Sequence, residues 1–295
     1  MKTRRSRTRW LLLASTLVLL GCEDKKSKLD ELVSAATLGS GAPSAKPRDI
    51  HFDKIPEVSI DTLGVYIGGH RAKLGDAPGS AKLKEIVAKL PIKDKPVPIR
   101  VVKEAKIEHV AEVIEALGEA GAPLVIVRTT GRADLPRQLR VTARGRLSNP
   151  DPCSIATTVN TDSATGVWPI RGGGGKKHTK GRAGPDLTRT SEAIVEDLAR
   201  CDSRTAFFSA DNSFNWELAY NMGAVLAHSA AKYAAEKGEC SGIDDKTKKK
   251  LGSDTLDYSK LAPEVAEKLA DCAAKRIDRL VLLADGPVAG RPVKL

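Results

Sequence analysis

A glycine-rich stretch, GVWPIRGGGGKKHTKGR from Gly166 to Arg182, carries the residue types of a phosphate-binding loop. In a Walker-type loop, a glycine is followed after four residues by Gly-Lys and then Ser or Thr, whose hydroxyl reaches Mg²⁺. Here Ile170 stands where the first glycine belongs, and Lys177 stands where the hydroxyl belongs. The stretch therefore does not predict a nucleotide site, and we expect a solvated, enlarged loop.

A second hypothesis for the same stretch is an anion-binding loop. Lysines and loop amides can hold an anion together with the backbone amides at the start of the following helix, where the helix dipole is positive. The residues of this candidate loop are Gly174, Gly175, Lys176, Lys177 and Thr188.

No other set of side chains predicts catalytic residues, a metal site or a cofactor. The five histidines, which follow no metal-ligand spacing such as HExxH, are His51, His70, His109, His178 and His228. The chain contains no GxSxG nucleophile motif. Asp61 and Asp162 fall in two predicted hairpin turns, where aspartate commonly bonds to the local backbone. We therefore expect a protein that binds rather than catalyses.

The first 22 residues, MKTRRSRTRWLLLASTLVLLGC, have the order of a bacterial lipoprotein signal. Basic residues precede an apolar stretch from Trp10 to Leu20, which is shorter than the ~20 residues that span a bilayer. The LLGC motif resembles the lipobox, in which the cysteine is lipidated and becomes the first mature residue. We predict a signal peptide over residues 1–21 and a lipid on Cys22. The alternative is an uncleaved membrane anchor.

The formal net charge of the chain is +11. Loss of residues 1–21 would lower it to +6, from 43 Lys and Arg against 37 Asp and Glu. Four Phe, four Tyr and three Trp are few for stacking on bases, so we expect no nucleic-acid partner. The remaining basicity favours a solvated surface with some attraction to anionic membranes or cell-wall polymers.

Residues 22–50 are expected to form the lipid anchor and a flexible tether. Leu29 to Ala36 could form a short helix, whereas the run from Gly39 to Pro47 lacks any apolar period. Such a chain reaches roughly 30 Å on average. The folded body is expected to begin near His51.

Four cysteines remain beyond Cys22, an even number that suits an oxidising compartment. They allow three pairings, and we favour Cys153–Cys201 with Cys240–Cys272, because the second pair brackets one inserted segment and would close locally. No CxxC spacing indicates a redox motif or a zinc knuckle.

The body begins with a regular order of strands and helices. EVSID and GVYIGG alternate around a turn and predict a hairpin, and KPVPIRVV and PLVIVRTTG predict strands. SAKLKEIVAKL and AKIEHVAEVIEALGEAG have helical periodicity, and Ser80 is a candidate cap for the first of these helices. The predicted order is β-β-α-β-α-β, an α+β fold with two helices on one face of a small sheet.

This segment, Val58 to Gly131, resembles the periplasmic domain of the ExbD/TolR proteins in VSIDTLGVYIGG, KPVPIRVVKEAKIEHVAEVIEALGEAG and PLVIVRTTG. Those proteins are biopolymer-transport and Tol-Pal subunits of a proton-driven inner-membrane motor. Where the family has Ala-Asp and an aromatic residue, this segment has Val101-Val102 and Ile107. The family's membrane-helix aspartate also has no counterpart between Trp10 and Gly21. The resemblance implies a periplasmic half without the proton-carrying half.

The second half of the chain repeats the pattern. VNTDSATGVWPI matches the hairpin through Gly166-Val167, SEAIVEDLARC matches the first helix, and RLVLLADG matches the last strand. TAFFSADNSFNWELAYNMGAVL matches the middle strand and second helix, with Ala210-Asp211 and Trp216 restoring the family's pattern. We therefore predict two tandem ExbD/TolR-like modules, residues 51–135 and 136–295, which could pair as an intramolecular pseudo-dimer.

Two insertions enlarge the second module. The first is the glycine-lysine connection, residues 172–185, and the second covers about residues 229–276. The second insertion prolongs a helix, passes the lysine run 246–250 and adds a helix in APEVAEKLADCAAKR. At the junction of the modules, Gln138 to Ala143 predicts an additional strand, which either sheet could receive.

These features predict a lipid-anchored periplasmic binding or scaffold protein in the envelope of a Gram-negative bacterium. It would be accessory to a Tol/Ton-like system, with an envelope protein or peptidoglycan as partner, and a homodimer is a further expectation. One alternative is an ExbD/TolR-type transporter subunit that an uncleaved N-terminal segment retains in the inner membrane. The other is an exported hydrolase, which would require a deep polar cleft with convergent titratable groups.

Overall fold

The computed structural model describes residues 50–143, 153–170, 175–181, 184–202 and 204–283. All of them fall within one compact unit, Ile50–Leu295. The expected signal peptide, Cys22 and the tether lie outside the described residues. None of the described helices combines the length and the apolar character needed to cross a bilayer.

The described residues form a mixed α+β fold with two mixed sheets and six helices. The strands are β1 Val58–Ile60, β2 Gly64–Ile67, β3 His70–Lys73, β4 Val97–Val101, β5 Leu124–Arg128, β6 Gln138–Thr142, β7 Ile155–Val159, β8 Thr165–Pro169, β9 Lys176–His178, β10 Thr205–Ala210 and β11 Arg279–Leu282. The helices are α1 Ala77–Val87, α2 Ile107–Glu119, α3 Leu187–Arg200, α4 Trp216–Glu236, α5 Asp245–Gly252 and α6 Pro263–Ala274, with a short 3₁₀ turn at Tyr258–Lys260.

The two sheets have the same topology. The first runs β3-β2-β1-β4-β5-β6, and the second, taken in the corresponding direction, runs β9-β8-β7-β10-β11. We call β1–β6 with α1 and α2 the first half, and β7–β11 with α3–α6 the second half. In each half the first three strands are antiparallel neighbours. The fourth and fifth strands are parallel to the first and follow helical crossovers. The same strand order and directions thus occur twice, with β6 as an addition to the first sheet.

Each half contains one strand more than the sequence predicts, so the order is β-β-β-α-β-α-β. In the first half, β3 follows a turn at Gly68 and Gly69, both with positive φ (53° and 86°). Such a two-residue Gly-Gly turn is a strong signal for a hairpin. The residues of β3 alone did not indicate a strand. In the second half, Lys176–His178 pairs with β8, so the expected solvated loop is partly strand.

The second hairpin differs from its expected alignment. Ile60 pairs with Val65 across the first turn, and Val159 pairs with Thr165 across the second. Thr165, rather than Val167, therefore takes the place of Val65, and the second turn is one residue longer than the first. The shift is two residues, which preserves the side of the sheet on which each residue lies.

Two local predictions need correction. The strand at Gln138 pairs with β5 of the first sheet, so the first sheet extends beyond the expected module boundary at residue 135. Ser80 is not the helix cap, since Asp76 is the N-cap of α1 and its Oδ1 accepts a hydrogen bond from Gly79 N at 2.8 Å. The Ser80 hydroxyl instead donates to the carbonyl of Asp76.

The expected excursion of the second half is present as α5, the 3₁₀ turn and α6, between α4 and β11. Both cysteine pairs lie at disulfide distance in the favoured pairing. The Cα atoms of Cys153 and Cys201 are 5.6 Å apart, and those of Cys240 and Cys272 are 5.1 Å apart. The second pair joins α6 to the segment that follows α4.

Helix α4 packs against both sheets. A Cβ at Gly223 would lie 2.8 Å from Leu139 of β6 and 3.1 Å from Phe208 of β10. Glycine is therefore required where the helix approaches both sheets so closely. One apolar core consequently runs through both halves of the folded body.

Candidate functional site

A cleft of about 930 Å³ lies where the two halves meet. One wall is formed by β6 and by the residues that follow the carboxyl ends of β4 and β5. The other wall is formed by α4, α6 and β11. In sheets with parallel strands, ligands commonly bind outside the carboxyl ends of those strands. Both the size and the place of the cleft suit a binding site.

The inner part of the cleft is apolar. Small side chains on α4 and α6 leave space between these helices and the first sheet. Larger apolar side chains form the rest of the apolar lining. The small residues are Ala227, Ala231, Ala266, Ala270, Ala273 and Ala274, and the larger ones include Leu124, Leu139, Leu269, Ile277 and Leu280. Such a lining favours an apolar part of a ligand or partner.

The opening of the cleft is rich in cations. It is lined by Lys103, Arg100, Arg128, Arg137 and Arg140. Glu104, Glu217 and Asp278 are the acidic side chains that line it as well. Arg100, Lys103 and Arg140 already pair with carboxylates. Among the described residues Arg128 and Arg137 form no ion pair, so these two favour an anionic group on whatever occupies the apolar interior.

The two halves are held together beside the cleft by buried hydrogen bonds. Trp216, at the start of α4, is fully buried, and its Nε1 donates to Thr129 Oγ1 of the first half at 2.8 Å. One turn later, the Tyr220 hydroxyl donates to the Pro136 carbonyl at 2.8 Å. Burial raises the pKa of Tyr220, so this hydroxyl keeps its proton. These contacts join the two halves beside the cleft, where Thr129 and Pro136 belong to its lining.

Helix α6 is attached to the edge of the first sheet by charged groups. Arg140 of β6 donates to Asp271 at 2.7 Å and also to Glu267, whose other oxygen accepts from Gln138 at 2.8 Å. The Arg140 side chain is 26% exposed, so this pair is less screened than a fully exposed one. The inserted helix thereby becomes a wall of the cleft.

The candidate anion-binding loop is placed differently from the expected cradle. Lys176 pairs with Glu196, and Lys177 pairs with Asp162. At the start of α3, where Thr188 lies, the Asp186 carboxylate already accepts from the backbone N of Arg189 at 3.1 Å. Gly174 lies outside the described residues. The anion site stays a prediction. The lysines and the helix-start amide that would hold the anion already contact carboxylates.

The buried histidine of α4 belongs to a polar cluster that connects α4 to the insertion. His228 Nε2 lies 2.9 Å from Asp254 Oδ1, and His228 Nδ1 lies 3.0 Å from the Tyr258 hydroxyl. Lys232 also donates to Asp254, at 2.9 Å. Burial lowers the pKa of His228, although Asp254 opposes this effect. A neutral imidazole that donates to Asp254 and accepts from Tyr258 satisfies every group, so the cluster has a structural role.

The remaining predictions about chemistry concern turns and metals. Asp61 accepts from the backbone N of Leu63 at 2.7 Å and of Gly64 at 2.8 Å, and Asp162 accepts from Ala164 N at 3.1 Å. Both aspartates therefore have the expected turn role. Within the described ranges, no three His, Cys, Asp or Glu side chains converge as a metal site would require.

The cleft was not predicted from the sequence. Its lining comes from residues far apart in the chain, such as Arg140 and Ala270, and no motif connects them. Comparison with family models, with curated proteins and with solved structures gives no match for this chain.

Proposed function

We propose that this chain is a lipid-anchored periplasmic binding or scaffold protein with no catalysis of its own. The observation that carries the proposal is the cleft between the halves, with its apolar interior, its arginine-rich opening and the hydrogen bonds that join the halves beside it. The lipobox-like motif at Cys22 supports the anchor. Attachment by a lipid and a tether would hold the cleft near a membrane.

We further infer that the two halves are tandem ExbD/TolR-like modules that pair as a pseudo-dimer, accessory to a Tol/Ton-like envelope system. The repeated strand order and the buried contacts between the halves support this inference. The partner would be an envelope protein or peptidoglycan. A partner segment that combines apolar side chains with acidic groups would suit the cleft.

The anchor is tested by mass analysis of the mature N-terminus in wild type and Cys22→Ser. We expect a diacylated N-terminal Cys22 in the wild type and its loss in the variant. A retained Met1 would instead favour the transporter subunit that stays in the inner membrane.

The cleft is tested by co-purification from solubilised envelopes with a variant that fills it. Ala270→Trp places a large ring in the lining, and Lys82→Trp, on the exposed side of α1, is the matched control. We expect a partner that is recovered with wild type and Lys82→Trp and is lost with Ala270→Trp. Equal recovery with all three proteins would contradict a role for the cleft.

A further inference from the structure

The outer face of the first sheet, on the side opposite α1 and α2, carries a row of polar side chains across successive strands. Helix α6 lies at the β6 edge of this face, where Glu267 accepts from Gln138. Cross-strand pairing places Arg71 beside Tyr66, Tyr66 beside Ser59, Ser59 beside Arg100, and Arg100 beside Arg128. Neighbouring strands are ~4.8 Å apart, so the row is continuous. We call these five residues the basic face.

The charge of the basic face is largely available to a partner, and two of its arginines, Arg100 and Arg128, also line the opening of the cleft. Arg71 lies over the Tyr66 ring, 5.0 Å from its centroid, and within the described residues neither Arg71 nor Arg128 forms an ion pair. Arg100 is partly neutralised by Glu57, whose Oε1 is 3.5 Å away, but 74% of its side chain is exposed. The face therefore favours an anionic partner.

Two exposed apolar residues lie at one end of this face. Leu63, in the β1–β2 turn, is 61% exposed, and Val102, directly after β4, is 39% exposed. The Val102 N bonds to the Ile60 carbonyl, and Asp61 holds the turn that presents Leu63, so both residues flank the end of β1. We call Leu63 and Val102 the apolar tip.

We propose that the basic face and the apolar tip dock the folded body onto an anionic phospholipid bilayer. Lipid head groups supply negative charge for the arginines, and the interfacial region accepts Tyr66 and the aliphatic side chains of the tip. A polyanionic glycan would match the arginines only. The exposed large apolar residues of the described chain, Leu63, Tyr66 and Val102, all belong to this surface, which favours the bilayer.

The expected tether makes weak docking sufficient. If Cys22 is lipidated, as the proposed function states, the body stays within roughly 30 Å of the membrane, and its effective concentration there is high. Docking itself requires only the basic face and the apolar tip. A failed anchor and a failed docking surface can therefore be told apart experimentally.

The experiment uses the full chain reconstituted into vesicles whose acyl chains carry bromine, which quenches nearby tryptophan. Leu63→Trp reports on the tip, and Lys82→Trp, on the helix side of the first sheet, is the matched control. Of the three natural tryptophans, Trp10 belongs to the expected signal peptide. Trp168 and Trp216 are 3% and 0% exposed, and the wild-type chain supplies the background. Vesicles of phosphatidylcholine alone are compared with vesicles containing 30 mol % phosphatidylglycerol. Flotation of the wild type with phosphatidylcholine vesicles tests the anchor separately.

We expect quenching of Leu63→Trp, but not of Lys82→Trp, in the vesicles that contain phosphatidylglycerol. Arg71→Gln with Arg128→Gln should weaken docking roughly 30-fold, from about fivefold for each basic residue near an anionic surface. Salt at 0.5 M should also weaken docking of the chain that keeps Arg71 and Arg128. This tests the role of charge without a substitution that could cause misfolding.

Three outcomes would overturn the proposal. The first is equal quenching of Leu63→Trp and Lys82→Trp in both vesicles. The second is quenching of Leu63→Trp that depends neither on phosphatidylglycerol nor on the arginines, which would mean insertion by the apolar residues alone. The third is no quenching together with loss of a co-purified glycan or protein in the arginine variants, which would assign the face to that partner.

Discussion

Pro98 on β4 and Phe207 on β10 take the same place in the two sheets. Ile99 pairs with Val58, and Phe208 pairs with Thr157, at corresponding positions of β1 and β7. Pro98 is exposed to solvent, whereas Phe207 is fully buried. Corresponding positions therefore face solvent in the first sheet and an apolar cluster in the second.

The contrast extends across the outer faces. Arg100 corresponds to Ser209, and Arg128 corresponds to Leu283, which follows β11. The outer face of the second sheet contributes a separate apolar cluster of Ala156, Trp168, Ile170, Phe207 and Val281. One topology thus supports two uses of the same surface, because alternate residues of a strand can change without disturbing the side that faces the shared core.

The largest expected effect separates these two faces directly. Phe207→Asp should lower the free energy of unfolding by at least about 4 kcal/mol, because it removes a buried ring and places a carboxylate among apolar groups. The matched change Pro98→Asp should alter it by under about 1 kcal/mol, since that position is exposed. Urea unfolding followed by circular dichroism measures both. Similar losses in the two variants would abolish the distinction between the faces.

The second prediction concerns what joins the halves. Trp216→Ala should lower the free energy of unfolding by about 3–5 kcal/mol, because a fully buried ring and its bond to Thr129 are lost. Thr129→Val should cost about 1–3 kcal/mol, because it leaves the indole N–H without its acceptor. A double-mutant cycle should show coupling between the two positions. Strict additivity, or an equal loss in the exposed control Tyr66→Ala, would argue against this contact.

The third prediction concerns the insertion that the first half lacks. Replacing both Cys240 and Cys272 by serine should lower the free energy of unfolding by about 3–4 kcal/mol on the chain-entropy account, and hydrogen exchange in α6 should accelerate. The control replaces Cys153 and Cys201. When this control and the wild type are compared at equal global stability, hydrogen exchange in α6 should be close to that of the wild type. Unchanged exchange in α6 after loss of Cys240 and Cys272 would contradict the prediction.

The smallest expected effect concerns the pH dependence of the cluster around His228. Burial lowers the pKa of this imidazole, so below pH ~6.5 the unfolded chain binds more protons than the folded chain. Stability should therefore fall as pH decreases from ~6.5 towards the pKa of the folded state, by about 1.4 kcal/mol for each unit by which the pKa is lowered.

The variant His228→Gln, which does not titrate, should show a shallower loss of stability between pH 7 and pH 5. Burial also lowers the pKa of His109 and His178. The stability of both the wild type and His228→Gln should therefore still fall to some extent over this pH range. The matched control is His109→Gln, which should retain the contribution of His228. If stability falls with pH as steeply in His228→Gln as in the wild type, His228 is excluded as a source of the pH dependence.

Much of the element order followed from the sequence because it depends on local patterns. Alternation over Val97–Val101 and the helical period over Ile107–Glu119 predicted β4 and α2. The third strand of each half was missed because it is only three or four residues long. The Gly-Gly turn before β3 was the signal that could have predicted it. The sheet that receives β6 was undecided, since alternation predicts a strand but not its neighbour.

The sequence by itself determined most of the strands and helices, their repetition and the preferred cysteine pairing, since these depend on short-range periodicity and on spacing. Only the tertiary structure decided that Arg71, Arg100 and Arg128 share one row and that α6 stands beside β6 as a wall of the cleft. Both results depend on strand register and on contacts between residues as much as 131 positions apart, and local propensity carries no information about either.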